Sequence, residues 1–435
     1  MSSSCVEARR PAPNGGSEIA AEVVLIESVA AGGDGVGHLA DGMTVFVPRT
    51  APGDRIALAW VRRRRRHARA EAAEVLAPGP DRVAPPCRHF ERDACGGCQW
   101  QHLSLEAQHR AKRRVVGDAL RRLGGLAVHD PDLVPSPRAL GYRTTITLTV
   151  RWRGAEPVVG FHRATGEGDG AGEVFPLERC EIARPEVAEL WAAIRPALGS
   201  LPRGEDVRLK LRVAHDGGLH LIVNGGDRAW TTPQPLAEAA LGTALPATVW
   251  WQPSGGAARR MAGPAADRAS VAFEQVNAEV ADVLRAAVLD AVPREARRVL
   301  DLYAGTGEVA LALARRGHEV VSIEAEEAAV RLTEARARAE GLAVRAVAAR
   351  VEDRIAALLP ADAVIVNPPR TGLAPEVTAA LGRQPPVQLV YVSCDPATLA
   401  RDLKRLGAEP ARLVLRCFDM FPQTSHVETL AVLRR

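Results

Sequence analysis

The sequence predicts an α/β protein: a mostly parallel, doubly wound, Rossmann-like sheet at its C-terminal end, a small β-barrel at its N-terminal end, and a mixed central region carrying a cysteine cluster. Three observations predict it. From Arg297 onward, apolar strand-like runs at 299–303, 320–323, 343–347, 363–366 and 389–393 alternate with helical stretches, and two further runs close the chain at 412–418 and 427–433. Between Ala20 and residue 78, short β-favouring runs alternate with glycine and aspartate turns. Cys87, Cys95 and Cys98 crowd together between these two parts.

A chain of 435 residues is long for one core. The composition shifts divide it into a disordered tail over 1–18, a barrel over 19–78, a central domain over 79–270 and the sheet domain over 271–435. The chain is 47% hydrophobic and 25% charged, without an apolar run long enough to cross a bilayer or the apolar core of a signal peptide near Met1. A cytoplasmic protein with no membrane partner is expected. The net charge of +4 is mild, and arginine carries nearly all the positive charge, since lysine occurs only at 112, 210 and 404. The location of basic residues is therefore more informative than their number. Seven cysteines, an odd count without a secretion signal, favour metal or catalytic use over disulfides.

In the barrel, the runs Glu22-Val23-Val24-Leu25-Ile26, Thr44-Val45-Phe46-Val47 and 56–61 are punctuated by Gly32-Gly33-Asp34-Gly35, Asp41-Gly42 and Pro52-Gly53-Asp54. About five short strands fit this stretch. Arg62-Arg63-Arg64-Arg65-Arg66-His67-Ala68-Arg69 lies at its edge, where a basic strand can grip oligonucleotides. The order of glycine-rich turn, Phe46-Val47-Pro48 and Pro52-Gly53-Asp54 resembles the TRAM domain, which implies RNA binding.

The central region contains one clear helix, 105–123, whose His109, Arg110, Lys112, Arg113 and Arg114 offer a second phosphate-contacting surface. Gly166-Glu167-Gly168-Asp169-Gly170 matches no phosphate-binding spacing and reads as a flexible surface connection. The cysteines follow C-x7-C-x2-C, within Cys95-Gly96-Gly97-Cys98-Gln99-Trp100-Gln101-His102, with Cys180 further on. Three clustered thiolates and a remote fourth suit an iron-sulfur cluster. Zinc stays open, because four thiolates also satisfy its tetrahedral preference, although paired Cys-Cys knuckles are its commoner signature.

At the sheet's carboxyl rim, Asp301-Leu302-Tyr303-Ala304-Gly305-Thr306-Gly307 leaves a strand and enters a helix, and Glu324 ends the next strand, where it can accept ribose hydroxyls. The loop lacks the third glycine of a phosphate cradle and begins with an acid. A ligand with a positive centre and no phosphate fits better, and S-adenosylmethionine is such a ligand. Glu352 or Asp353 can reach its adenine or simply cap a helix. Asn367-Pro368-Pro369-Arg370-Thr371-Gly372-Leu373 follows the fourth strand on the same rim. Cys394 ends the fifth, with Asp395-Pro396 opening a helix whose N-terminus favours thiolate. A thiolate and a carboxylate beside a methyl donor suit methylation of an unactivated carbon such as uracil C5. The thiolate adds to C6, C5 takes the methyl group, a base removes the C5 proton and the thiolate leaves.

The ordered set of the cysteine motif, Cys180, Phe273-Glu274-Gln275-Val276-Asn277, the 301–307 and 367–373 loops, Val392-Ser393-Cys394-Asp395-Pro396 with Arg401-Asp402-Leu403, and Asp419-Met420-Phe421-Pro422-Gln423-Thr424-Ser425-His426-Val427-Glu428 resembles the RNA (uracil-5-)-methyltransferases. The match runs over residues 19–435. The resemblance implies that Cys394 is the nucleophile and Glu428 the base. It also implies that Gln275, Tyr303, Gly305, Glu324 and Asn367 line the S-adenosylmethionine pocket, and that Cys87, Cys95, Cys98 and Cys180 hold a [4Fe-4S] cluster. RNA is the implied partner, 23S ribosomal RNA ahead of transfer RNA, with the uridine flipped into the site. A self-contained three-domain chain makes a monomer the simpler expectation. Two departures stand out: Asn367 occupies the usual place of an aspartate, and the first cysteine gap is longer than the commoner spacing. Asn-Pro-Pro also occurs in enzymes that methylate exocyclic amines, but Arg370 stands here in place of their aromatic residue. A non-catalytic RNA-binding protein that keeps the barrel and cluster is the remaining alternative.

Overall fold

The computed structural model describes residues 22–164, 172–226, 229–266 and 275–434. The tail expected at 1–18, the glycine-rich connection at 166–170 and Phe273-Glu274 lie outside the described residues.

Five strands form the expected closed barrel: β1 (Val23–Val29), β2 (Gly35–His38), β3 (Thr44–Val47), β4 (Arg55–Arg63) and β5 (Ala68–Ala77), in the order β1-β2-β3-β5-β4. Alternate residues Val24, Ile26, Val45, Val47, Ile56 and Leu58 point inward and fill it. The exposed Arg64, Arg65 and Arg66 occupy the turn between β4 and β5.

Helices α1 (Arg88–Arg92) and α2 (Leu105–Arg122) follow. Ser104 caps α2 by accepting the Ala107 N–H at 3.2 Å, and Arg121 and Arg122 meet the negative end of its dipole. After the short strand β6 (Asp132–Val134) come β7 (Thr145–Arg153), β8 (Glu156–Gly160), α3 (Pro185–Ile194), β9 (Arg208–Val213), β10 (Leu219–Asn224), α4 (Gln234–Leu241), β11 (Ala247–Gln252) and β12 (Arg259–Ala262). These six later strands make a sheet ordered β12-β11-β10-β9-β7-β8, with Val187, Leu190, Trp191, Leu236 and Ala240 of α3 and α4 in its core.

The C-terminal part comprises α5 (Ala278–Ala291), β13 (Arg298–Leu302), α6 (Glu308–Arg315), β14 (Glu319–Glu324), α7 (Glu327–Glu340), β15 (Val344–Ala348), α8 (Val351–Leu358), β16 (Ala363–Val366), α9 (Pro375–Arg383), β17 (Gln388–Ser393), α10 (Pro396–Arg405), β18 (Leu413–Phe418) and β19 (Glu428–Arg434). Its sheet runs β15-β14-β13-β16-β17-β19-β18-β6. The first five strands are parallel, and β17-β19-β18 are antiparallel. Because strands are covered on both faces, successive residues enter different cores. Leu300 and Leu302 pack under α8, α9 and α10, while Val299 packs under α5 and α6. Strand order reverses between β13 and β16, which opens a crevice at their carboxyl ends.

Two upstream segments complete this sheet. β6 pairs in parallel with β18, Asp132 opposite Arg416 and Val134 opposite Phe418. Val116 and Leu120 of α2 share a core with Leu399 and Leu403 of α10. Among the described residues no helix is long and apolar enough to cross a membrane.

Candidate active site

Cys394 stands half-buried between β17 and α10, whose first turn is fixed by Asp395 accepting the Thr398 N–H at 2.8 Å and by Pro396. Antiparallel register pairs Ser393 with Thr429, so the next step along the strands brings Cys394 opposite Glu428. Glu428 is only 4% exposed, and burial pushes its carboxyl up to about 8. The Cys394 thiol is also raised, first by burial and then by the Glu428 charge, while Arg370 pulls both groups down. The helix N-terminus was expected to favour thiolate; desolvation and a neighbouring carboxyl outweigh it here. His426 completes this rim as a neutral imidazole, pushed down to about 4 by burial and Arg370, with its ring 5.9 Å from that of Phe421.

The loop that follows Arg370 is held by a buried acid that sequence reasoning did not single out. Asp402 of α10 is fully buried and accepts the Leu373 N–H at 2.7 Å and the Tyr391 hydroxyl at 2.9 Å, while Arg401 donates to Thr371 O at 2.8 Å. Gly372 lies at φ 74, and a Cβ there would come within 2.4 Å of Asp402 Oδ2, so only glycine allows this close seat. The signal was available in the Arg401-Asp402 pair two turns into the helix that follows Cys394.

The residues expected to hold the cofactor gather at the carboxyl ends of β13, β14 and β16. Tyr303 and Gly305 follow β13, with Tyr303 held at φ 61, a left-handed conformation a non-glycine residue keeps only when its surroundings impose it. Glu324 Oε2 accepts the Gly305 N–H at 2.9 Å, and Oε1 accepts those of Ala325 and Glu326 at 2.7 and 3.0 Å, which fixes the carboxylate while leaving lone pairs for ligand hydroxyls. Asn367 follows β16 and is exposed, its backbone N–H donating to Leu302 O at 3.3 Å. Gln275 is half-buried, its carbonyl facing the Thr144 hydroxyl at 3.5 Å. Asp301 is buried below the loop; its Oδ2 has no hydrogen-bond partner, and burial pushes the carboxyl up to about 7. A buried acid with one unpartnered oxygen under a glycine loop fits a cationic ligand such as S-adenosylmethionine.

Helix α2 contributes in a way its sequence does not announce. Lys112 was expected on a phosphate-contacting face, but it is fully buried and paired with Asp419, which also meets His109 Nε2 at 3.1 Å. Arg110 is paired with Asp81 at 2.7 Å. The amphipathic pattern of α2 gave no hint of a partner 307 residues away.

All six described cysteines are free. Cys87 and Cys98 share a small core with Phe90, Tyr142 and Ile182, against which Cys180 packs. Cys95 interacts electrostatically with Cys87 and Cys98, so four thiols from three chain segments converge. Burial pushes Cys95 and Cys180 up to about 11 and Cys98 up to about 12. The Gly97 N–H donates to Cys95 Sγ at 3.4 Å, the Cys87 N–H donates to Gln101 Oε1 at 3.1 Å, and Arg49 and Arg143 bring positive charge. Among the described residues no group of three or more His, Cys, Asp or Glu side chains is arranged to hold a metal ion. Convergent thiols with amide donors and nearby guanidinium groups fit a multi-iron cluster.

Residues 265–435 match the family model described as tRNA (Uracil-5-)-methyltransferase. The chain is 34% identical to an uncharacterized RNA methyltransferase of Gloeobacter violaceus, across 95% of this chain and 96% of that protein. It is 33% identical to the 23S rRNA (uracil(1939)-C(5))-methyltransferase RlmD of Chromohalobacter salexigens, across 95% and 90% respectively. Its fold resembles the solved Pyrococcus abyssi tRNA (uracil-54, C5)-methyltransferase in complex with S-adenosyl-L-homocysteine, with a TM-score of 0.70, 25% identity and coverage of 94% and 99%.

Proposed function

Because the chain belongs to the S-adenosylmethionine-dependent RNA (uracil-5-)-methyltransferases, we propose that it methylates C5 of a specific uridine in 23S ribosomal RNA through a covalent adduct between Cys394 and uracil C6, with Glu428 as general base. The observation that carries this reading is the electrostatic interaction between Cys394, one residue past β17, and Glu428, the first residue of the adjoining β19.

S-adenosylmethionine, when bound, supplies an electrophilic methyl group. The protein's side chains do the rest. The Cys394 sulfur adds to C6 of the flipped base, which makes C5 nucleophilic; after C5 has taken the methyl group, the Glu428 carboxylate removes the C5 proton and the C6–S bond breaks to restore the thiolate. Arg370, close enough to lower both groups, offsets the negative charge they share. Asn367 keeps hydrogen-bonding capacity where the family usually has a carboxylate, which affects rate more than binding. Gln275, Tyr303, Gly305, Glu324 and Asn367 form the cofactor pocket.

Cys87, Cys95, Cys98 and Cys180 hold a [4Fe-4S] cluster that braces the barrel and central region against the catalytic sheet. Brown colour and visible absorption in anaerobically purified protein, with iron and sulfide in equal amounts, test it; zinc alone sinks it. The barrel is a TRAM-type RNA grip ahead of the central and catalytic domains, in a cytoplasmic monomer. The full-length relative named for 23S ribosomal RNA favours that substrate over transfer RNA. Nucleoside mapping of both RNAs from a deletion strain decides between them.

The decisive experiment incubates the enzyme with RNA containing 5-fluorouridine. A stable protein–RNA adduct is expected, because fluorine blocks proton abstraction. No adduct, or one undiminished by Cys394→Ala, overturns the mechanism.

A further inference from the structure

The turn before Glu428 is held by a side chain from a distant helix. Gln108 of α2 is fully buried and uses both ends of its amide. Its Oε1 accepts the Gln423 N–H at 2.8 Å, and its Nε2 lies 3.1 Å from Gln423 Oε1, 3.1 Å from Trp100 O and 3.0 Å from Leu103 O. The Gln423 carbonyl in turn accepts the Trp100 N–H at 3.0 Å. Gln423 sits at φ 69, so its backbone conformation is one the surroundings must impose. One helical turn along α2, Lys112 donates to Phe421 O at 2.9 Å, and the Tyr142 hydroxyl donates to Pro422 O at 3.1 Å. Three successive residues of the turn are thus fixed by groups outside it, and the chain then enters β19 at Glu428.

Glutamine suits this place chemically. It supplies acceptor and donors at one planar tip, so an apolar residue would leave the Gln423 N–H and the two carbonyls short of partners, and a glutamate would lack the donors.

We infer that Gln108 is a positioning residue for proton abstraction, clamping the 419–427 turn so that the Glu428 carboxyl stands opposite Cys394. The inference rests on Glu428 being the base. A base must lie within hydrogen-bond reach of the proton it takes, and a misplacement of about 1 Å can cost on the order of 100-fold in rate.

Single-turnover reactions on ribosomal RNA from a strain lacking the enzyme test this in wild type and Gln108→Ala. The variant is expected to form the Cys394 adduct within about threefold of the wild-type rate, resolve it roughly 10- to 100-fold more slowly, and bind S-adenosylmethionine unchanged. Adduct therefore accumulates, as in Glu428→Gln. Resolution at the wild-type rate, or equal slowing of both steps, overturns the inference. Hydrogen exchange of the unmodified protein reads the clamp even where the variant does not fold: protection of the Gln423 amide matching that of α2 supports it, and open-loop exchange overturns it. The 5-fluorouridine adduct separates the two failures. Its absence in wild type removes the covalent chemistry, whereas its presence with unimpaired resolution in Gln108→Ala removes the positioning role alone.

Discussion

The Glu428 carboxylate raises the Cys394 thiol across two adjoining strands, so each group's ionisation opposes the other's. Near pH 7 both begin protonated, Glu428 because burial has pushed it up to about 8. In the proposed mechanism both must shed a proton before adduct formation and C5 deprotonation are complete. We expect kcat/KM to rise about 100-fold per pH unit below pH 8 and about tenfold above it, until the thiol titrates. Adduct formation alone should rise only about tenfold per pH unit, and in Glu428→Gln its thiol titration should move down, because the like charge is gone. Initial rates and adduct yields between pH 6 and 9.5 check this; a flat profile from 6 to 8 contradicts it.

Asp301 is raised toward 7 chiefly by burial, with Glu324 adding to it, and its Oδ2 lacks a partner. A cationic ligand stabilises the ionised form. Affinity for S-adenosylmethionine should therefore weaken by about tenfold per pH unit below 7 and level off above it. Asp301→Asn should weaken binding at pH 8 by roughly 10- to 100-fold, the worth of one charge-assisted hydrogen bond, and flatten the pH dependence. Titration calorimetry measures both.

Lys112 and Asp419 form a buried ion pair, 0% and 1% exposed. Removing one partner strands the other charge, so Lys112→Met should cost about 3–5 kcal/mol. Adding Asp419→Leu should recover most of that loss. Denaturant unfolding of both variants reads the difference, and a double variant no better than the single one refutes the pairing as the cause.

Arg64, Arg65 and Arg66 are exposed at the barrel's β4–β5 turn. Replacing all three with alanine should weaken RNA binding at low salt. The slope of log K against log salt should shrink by about 0.7–0.9 for each phosphate that these guanidinium groups neutralise. Filter binding over a salt series tests it, and an unchanged slope removes this turn from the RNA interface.

Regular pattern made the sheet legible. The run 363–366 coincides with β16, and the helix expected at 105–123 ends one residue earlier in the structure. Local chemistry likewise places Cys394 at a strand end, since Asp395-Pro396 can only open a helix there. What the pattern could not carry is which distant segments meet. β6 has three residues, too few for a period to show, and its partner lies on β18. Lys112 reads as a phosphate-contacting charge until Asp419 is seen beside it. The direction of the Cys394 shift is hidden for the same reason, because the helix end is local whereas Glu428 arrives from another strand.

Strand β6 covers the outer edge of β18, where Val414 is already 53% exposed. A fragment starting at residue 265, where the family match begins, would carry the sheet without β6 or α2. Its last strand would then offer a row of unpaired amides and carbonyls next to the uncovered Leu399 and Leu403. Such an edge is a template for a second copy of itself. Trimming the enzyme to its catalytic sheet would therefore yield a self-associating, aggregation-prone piece, so the upstream chain keeps the methyltransferase half from sticking to its own kind.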